Sequence, residues 1–382
     1  MAQRKQVGFV FSYNESWIGG TYYILNIIHA LHALPDEEKP VITILSSKKE
    51  DFELVKKETN YPYLDYRNTI VESSLKTRLV NKVSRIFLSK NLLSFTKLRI
   101  KNIDMVYPRY SPKFEIRKSS KKVFWIPDFQ DMFLPQYFPQ EELTQRENDR
   151  IEISKTEGIL VTSSKDAQNH FNKTYTTSKP QQFILQFAVT HPSYNHINID
   201  ELKKIHKLPA QYYFAPNQFW AHKNHISIIK AVKRLKDSGL SVTVAFSGKE
   251  SDYRNQDHID KLKELIVEYE LQKNILFLGF LDRKVQLQLM KNSMAIIQPS
   301  LFEGWSTVVE DAKSLNKHII LSNLSVHREQ TSINCTFFDA ENDEKLADIL
   351  EIFEPDQEIE TDYSQNIVNF GKNFNKLIGL AS

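Results

Sequence analysis

The chain has 382 residues, of which 25% are charged and 41% hydrophobic, a soluble globular composition long enough for two domains. The single cysteine, Cys335, excludes a disulfide framework and any zinc site built on two or four cysteines. A net charge of +3 does not by itself indicate a nucleic-acid binder, and 10 glycines exclude a collagen-like chain.

In chain order, Gln6–Ser12 reads as a buried strand. Thr21–Leu34 reads as a helix, with Ile24, Ile27, Ile28 and Leu31 on one face and Pro35 at its end. Val41–Ser46 is a strand, and Lys49–Thr59 a polar helix. Ser73–Ile103 then carries eight basic residues and no acidic one. Within it, Ser73–Leu93 has the pattern of a basic amphipathic helix suited to an anionic membrane surface, a solvated helix or basic groove being the alternative. Ile103–Tyr107, Lys122–Ile126 and Gly158–Thr162 are short apolar runs. Lys165–Phe171 is helical and Gln182–Phe187 a strand.

Texture changes at Val189–Leu208, which places a linker near 190–200. Strand and helix then alternate again. The strands are Tyr212–Pro216, Ser241–Ser247, Ile275–Leu278, Met294–Gln298 and Ile319–Leu321. The helices are Asn224–Ser238, Gln256–Tyr269, Lys284–Asn292 and Thr307–Leu315, with a last helix at Tyr363–Ile378. The repeated alternation predicts two α/β domains with mainly parallel sheets, over 1–195 and 196–362, facing a cleft. Ligands of such sheets bind at the carboxyl ends of strands. Neither a Gly-x-Gly-x-x-Gly fingerprint nor a phosphate loop of the Gly-x-x-x-x-Gly-Lys-Ser/Thr type is present. No run of about 20 apolar residues and no signal-peptide pattern occur, so the expected location is cytoplasmic.

Chemistry concentrates in Pro299-Ser300-Leu301-Phe302-Glu303-Gly304-Trp305-Ser306-Thr307, between a strand and a helix. Backbone N–H groups at Gly304–Thr307 and the positive helix end form an anion site suited to a diphosphate. Glu303 and Asp311 flank it as acceptors for sugar hydroxyls. The plainer alternative is a helix with Ser306 as N-cap and acids at its positive end.

This segment resembles the retaining glycosyltransferases of family 4, whose second domain carries two glutamates separated by seven residues, after Pro-Ser. Here the same spacing joins Glu303 to Asp311. The resemblance implies the GT-B fold: two Rossmann-like, doubly wound domains facing a cleft, with the C-terminal helix 363–382 crossing back to the first. It implies that Glu303 handles the donor sugar and Asp311 the nucleotide ribose, with Trp305, Ser306 and Thr307 beside them. Asn217–His225 matches the family's element of an arginine and a lysine separated by four residues. Lys223 stands at the lysine and Gln218 at the arginine, both toward the donor diphosphate. Gly19-Gly20 matches the glycine-rich loop after the first strand. Pro127-Asp128-Phe129-Gln130-Asp131 lies where relatives place a histidine near the transferred sugar, so Asp128 and Asp131, with Gln130, are expected at the reacting centre. Gly248 and Phe280 belong to loops that lie over the nucleotide in the family.

The implied function is transfer of a sugar, with retention, from a nucleoside-diphosphate sugar to a glycan or lipid-linked acceptor in polysaccharide assembly. Neither a cofactor nor a metal is expected, nor a nucleic-acid partner. The basic residues 73–103 are expected to meet an anionic membrane surface on the cytoplasmic face. The substitutions at Gln218, Asp311 and Asp131 leave a second reading, a non-catalytic glycosyltransferase-like subunit that binds a sugar nucleotide or a partner enzyme. A sugar-nucleotide epimerase of the same fold is a third.

Overall fold

A computed structural model describes residues 3–69, 103–109, 121–252, 254–255, 257–355 and 359–382. The basic stretch lies outside the described residues except at its last position, Ile103. The first unit begins with β1 (Gln6–Val10), β2 (Val41–Ser46), β3 (Leu64–Asn68) and β4 (Met105–Tyr107), ordered β3-β2-β1-β4 with every pairing parallel. A second group, β5 (Val123–Ile126), β6 (Ile159–Thr162) and β7 (Gln181–Ile184), is also parallel. The two groups meet where Arg109 pairs with Phe124 and the Trp125 N–H donates to the Arg109 carbonyl at 3.0 Å. Strands β4, β5 and β6 are buried along their whole length, as expected for parallel strands covered on both faces.

The second unit holds β8 (Tyr213–Ala215), β9 (Val244–Phe246), β10 (Ile275–Phe277), β11 (Ile296–Gln298), β12 (Ile319–Ser322) and β13 (Cys335–Phe338). Their spatial order is β10-β9-β8-β11-β12-β13, all parallel. Strand order reverses between β8 and β11, which opens a crevice at their carboxyl ends. Both units are therefore doubly wound, as the alternation predicts.

The last helix, Ser364–Ala381, crosses back onto the first unit. Phe370, Phe374, Leu377 and Ile378 are buried in that unit's core, and Phe374 stacks on Phe9 with ring centroids 5.5 Å apart. Gly371 sets how closely this helix meets the helix Ile18–His32: a Cβ there would fall 2.4 Å from the Ala30 carbonyl oxygen.

Three details differ from the expectation. The first helix starts at Ile18, after a short turn at Glu15–Trp17, so Gly19 and Gly20 lie in its first turn and not in a loop before it. Gly20 is required there because the Trp17 ring occupies the space a Cβ would take, at 2.7 Å. Helix Gln140–Ser154 has no counterpart in the sequence reading, since its face is almost wholly polar and carries little apolar periodicity. Strands β3 and β13 and helices Ser325–Gln330 and Asp343–Ile352 likewise add to the predicted elements.

Candidate functional site

The loops after β8 and β11 approach one another because Asn224 bridges them. Its backbone takes the left-handed conformation (φ 55°) at the start of helix His225–Asp237. Its side-chain amide donates to the carbonyls of Pro299 (3.2 Å) and Ala340 (2.9 Å). The Leu301 N–H donates to the His222 carbonyl at 2.8 Å. Facing them from the first unit are the start of helix Ile18–His32 and the loop after β5. Between the two sets lies a cavity of about 220 Å3.

Glu303 and Lys223 meet inside it, with Lys223 Nζ 2.6 Å from Glu303 Oε1. The same oxygen accepts from Ser300 Oγ (2.7 Å) and Gln298 Nε2 (2.8 Å). Burial pushes the Glu303 carboxyl up, but the Lys223 charge and these hydrogen bonds, with His327 nearby, hold it below its ordinary value. Glu303 is thus an ionised acceptor poised beside a cation.

Behind them begins the helix Thr307–Ser314. Ser306 is its N-cap, its Oγ accepting from the Val309 N–H at 3.4 Å. The N–H of Ser306 itself is taken by Gln330 Oε1 at 3.1 Å, while Gln330 Nε2 donates to the Ser306 carbonyl at 2.7 Å. The anion site expected across Gly304–Thr307 therefore lacks one donor, because a buried glutamine distant in sequence takes it. Gly304 is packed against the opposite unit: a Cβ there would lie 2.3 Å from the Pro127 carbonyl oxygen. Trp305 is fixed by its indole N–H, which donates to the Phe187 carbonyl at 3.1 Å.

Asp311 also lines the cavity and is 1% exposed. Arg283 binds both its oxygens, Nη1 to Oδ2 at 2.8 Å and Nη2 to Oδ1, and His191 Nε2 lies 3.1 Å from Oδ1. Burial would raise this carboxyl; Arg283 and His191 depress it below its usual range. Arg283 lies over Tyr22, 5.3 Å from its ring centroid. It supplies a second cation to the cavity, where Gln218 replaces the expected arginine. No sequence signal separates Arg283 from other polar residues at helix starts.

On the first-unit wall, Asp128 Oδ1 accepts from the Gln130 N–H at 3.0 Å. Burial pushes its carboxyl above the ordinary value, and Arg146 only partly offsets that. Gly19, Gly20, Gln218 and Thr307 also line the cavity, and Gln218 Nε2 donates across to the Glu15 carbonyl at 3.2 Å.

Three predicted residues do not line it. Asp131 is 2% exposed and ion-paired with Arg150 at 2.7 Å. Gly248 sits behind the β8 loop, with φ +156° and no room for a Cβ, which would lie 2.2 Å from the Asn217 carbonyl oxygen. Phe280 is 52% exposed and outside the cavity.

Residues 198–370 match the family model described as Glycosyl transferases group 1. Over 171 residues the chain is 25% identical to the O-antigen chain mannosyltransferase RfbU of Salmonella typhimurium, covering 44% of this chain and 43% of that relative. The chain thus spans less than half the length of that curated relative. A glycosyltransferase from Rickettsia africae superposes with a TM-score of 0.61 at 14% identity, covering 100% of this chain and 95% of the other. HepE of Anabaena, solved with UDP and glucose, superposes with a TM-score of 0.59 at 15% identity, covering 99% and 95%. The architecture, two Rossmann-like α/β units flanking a cleft, is that of the GT-B fold.

Proposed function

We propose that the chain is a retaining glycosyltransferase that moves a sugar from a nucleoside-diphosphate donor to a glycan or lipid-linked acceptor. In this reading residues 196–362 carry the donor and residues 1–195 face the acceptor. One observation carries it: Lys223 and Glu303 are paired at the reversal point of the second sheet, with Asp128 across the cleft. An entering diphosphate competes for Lys223, a standard phosphate partner. Once released, Glu303 accepts hydrogen bonds from the donor sugar. As the glycosidic bond breaks, charge develops on the departing diphosphate, and Lys223 with the helix start stabilises it in a site closed from water. The acceptor hydroxyl forms the new bond to the anomeric carbon and passes its proton to Asp128. A carboxyl with a raised pKa suits that task at neutral pH. Retention follows from the family resemblance, in which attack occurs on the face the diphosphate leaves. The match to an O-antigen mannosyltransferase supports a cell-surface polysaccharide as the product.

Mass-spectrometric detection of donor consumption, screened over glucose and mannose nucleotides, tests the reading. Turnover that Glu303→Ala and Lys223→Ala each lower by about a hundredfold or more is the expected result. Donor binding without turnover for any acceptor favours the non-catalytic subunit instead. That second reading draws on the neutral Gln218 and on Asp131, whose carboxylate is engaged by Arg150 outside the cavity.

A further inference from the structure

A second cavity, of about 470 Å3, opens on the far side of Asp128. It shares Trp17, Trp125, Trp220, Asp128 and Gln130 with the first, so the two adjoin with Asp128 lining both. With Trp305 in the first cavity, all four tryptophans of the chain line the two cavities. Trp125 is buried and stacks on Tyr23 and Trp17, with ring centroids 4.1 and 6.0 Å apart, and Arg254 lies 4.8 Å over the Trp220 ring, so the tryptophans form a rigid wall that shapes the cavity.

Three arginines reach the second cavity. Arg146 and Arg150 come from helix Gln140–Ser154, and Arg254 comes from the opposite unit. Phe138 gathers two of them, the guanidinium carbons of Arg146 and Arg254 lying 5.0 and 4.7 Å from its ring centroid. Their acidic partners stand outside the lining: Glu142 for Arg146 (2.7 Å), Asp131 for Arg150 (2.7 Å) and Asp252 for Arg254 (3.3 Å). The acids that line the cavity are Asp128 and Asp149, and Asp149 already accepts from Gln145 Nε2 at 2.7 Å.

Among the described residues, two buried polar groups here lack partners. Arg150 is 7% exposed and its Nε–H has none; Gln130 is 6% exposed and its amide nitrogen has none. Both are donors, so the missing partner presents acceptor oxygens. A guanidinium fork matches the two oxygens of a carboxylate or phosphate.

We propose that this cavity holds the acceptor and selects a sugar bearing a carboxylate or phosphate. The acidic substituent meets Arg146 and Arg150, and a hydroxyl faces Asp128. This rests on the glycosyl-transfer reading for the role of the bound sugar, but not for its binding.

Tryptophan fluorescence titration of the full chain with glucuronic acid, glucose 6-phosphate and glucose tests it. Glucuronic acid separates a carboxylate from a phosphate preference. The variant is Arg146→Gln, whose side chain is 37% exposed in the parent, so folding is retained; Arg150→Gln is the second, checked by thermal melting. The expected result is that at least one acidic sugar binds more tightly than glucose. Arg146→Gln then weakens it about tenfold or more and leaves glucose unchanged. Equal binding of all three sugars overturns the proposal. So does glucose 6-phosphate binding that Lys223→Ala abolishes and Arg146→Gln spares, since that places the phosphate in the donor site. Turnover with neutral acceptors, untouched by Arg146→Gln, overturns it while leaving glycosyl transfer intact. Arg146-dependent binding with no turnover of any donor keeps the anionic-sugar site and removes the transfer reading.

Discussion

At the residue scale the cavity is lined by two buried ion pairs, Lys223 with Glu303 and Arg283 with Asp311. Lys223 and Glu303 satisfy each other, and in the proposed reading an entering diphosphate offers Lys223 a stronger partner. Removing Lys223 leaves the leaving group without that cation, and a fall in kcat of about a hundredfold or more is expected, read by donor turnover at saturating donor. In the same reading Asp128, as the base, sets a pH limb. Its raised pKa means the base is lost to protonation at a higher pH than for an ordinary carboxylate. kcat/KM is therefore expected to fall on the acid side with an apparent pKa above that of an ordinary carboxylate, and Asp128→Asn to remove both that limb and most of the activity. A limb unchanged in Asp128→Asn assigns the proton to another group.

At the element scale two glycines control how surfaces meet. Gly304 lets the β11 loop touch the backbone of Pro127 across the cleft. A methyl group there meets main chain, which does not yield as a flexible side chain does. Gly304→Ala is expected to part the two walls and lower turnover by about a hundredfold with the thermal midpoint little changed, as misplacement of about 1 Å does in other sites. Gly371 plays the same part for the C-terminal helix against the helix Ile18–His32. That helix is anchored by Phe374, fully buried. Phe374→Ala is expected to cost about 3–5 kcal/mol in a denaturation midpoint analysis, because a cavity is added to the lost transfer energy.

At the scale of the whole molecule, acid acts through buried histidines. Burial holds His225 at a pKa of about 3 and His29 at about 4, both below the ordinary 6.5. The unfolded chain binds those protons first. Their contribution to stability is therefore complete above about pH 6.5 and is lost as pH falls toward 4 and 3. Thermal midpoints are expected to drop progressively below about pH 6.5, and a flat profile from about pH 7 to 4.5 would contradict this. The two units are tied across the cleft by Glu329, which accepts from the N–H groups of Lys165 and Asp166 at 2.9 and 3.2 Å and from Gln186 at 2.7 Å. The basic stretch 73–103 carries a separate expectation from sequence. Deleting its charges should weaken binding to anionic vesicles by about 1 kcal/mol per residue, measured by co-sedimentation, and leave neutral vesicles unaffected.

The sequence by itself determined the alternation of strands and helices, because apolar runs, turn residues and caps act within a few residues of one another. It also determined the segment Glu303–Asp311, since that motif is contiguous. Only the tertiary structure decided who partners whom. Lys223 reaches Glu303, Arg283 takes Asp311, Arg150 takes Asp131, and Gln330 takes the Ser306 N–H. Each pair joins parts of the chain whose spacing obeys no period. Helix Gln140–Ser154 is invisible to pattern because its polar side chains have no apolar stripe, yet it delivers two arginines to the second cavity. Strand order sets which loop ends meet, and strand order is settled by packing across the sheet, which no local pattern encodes.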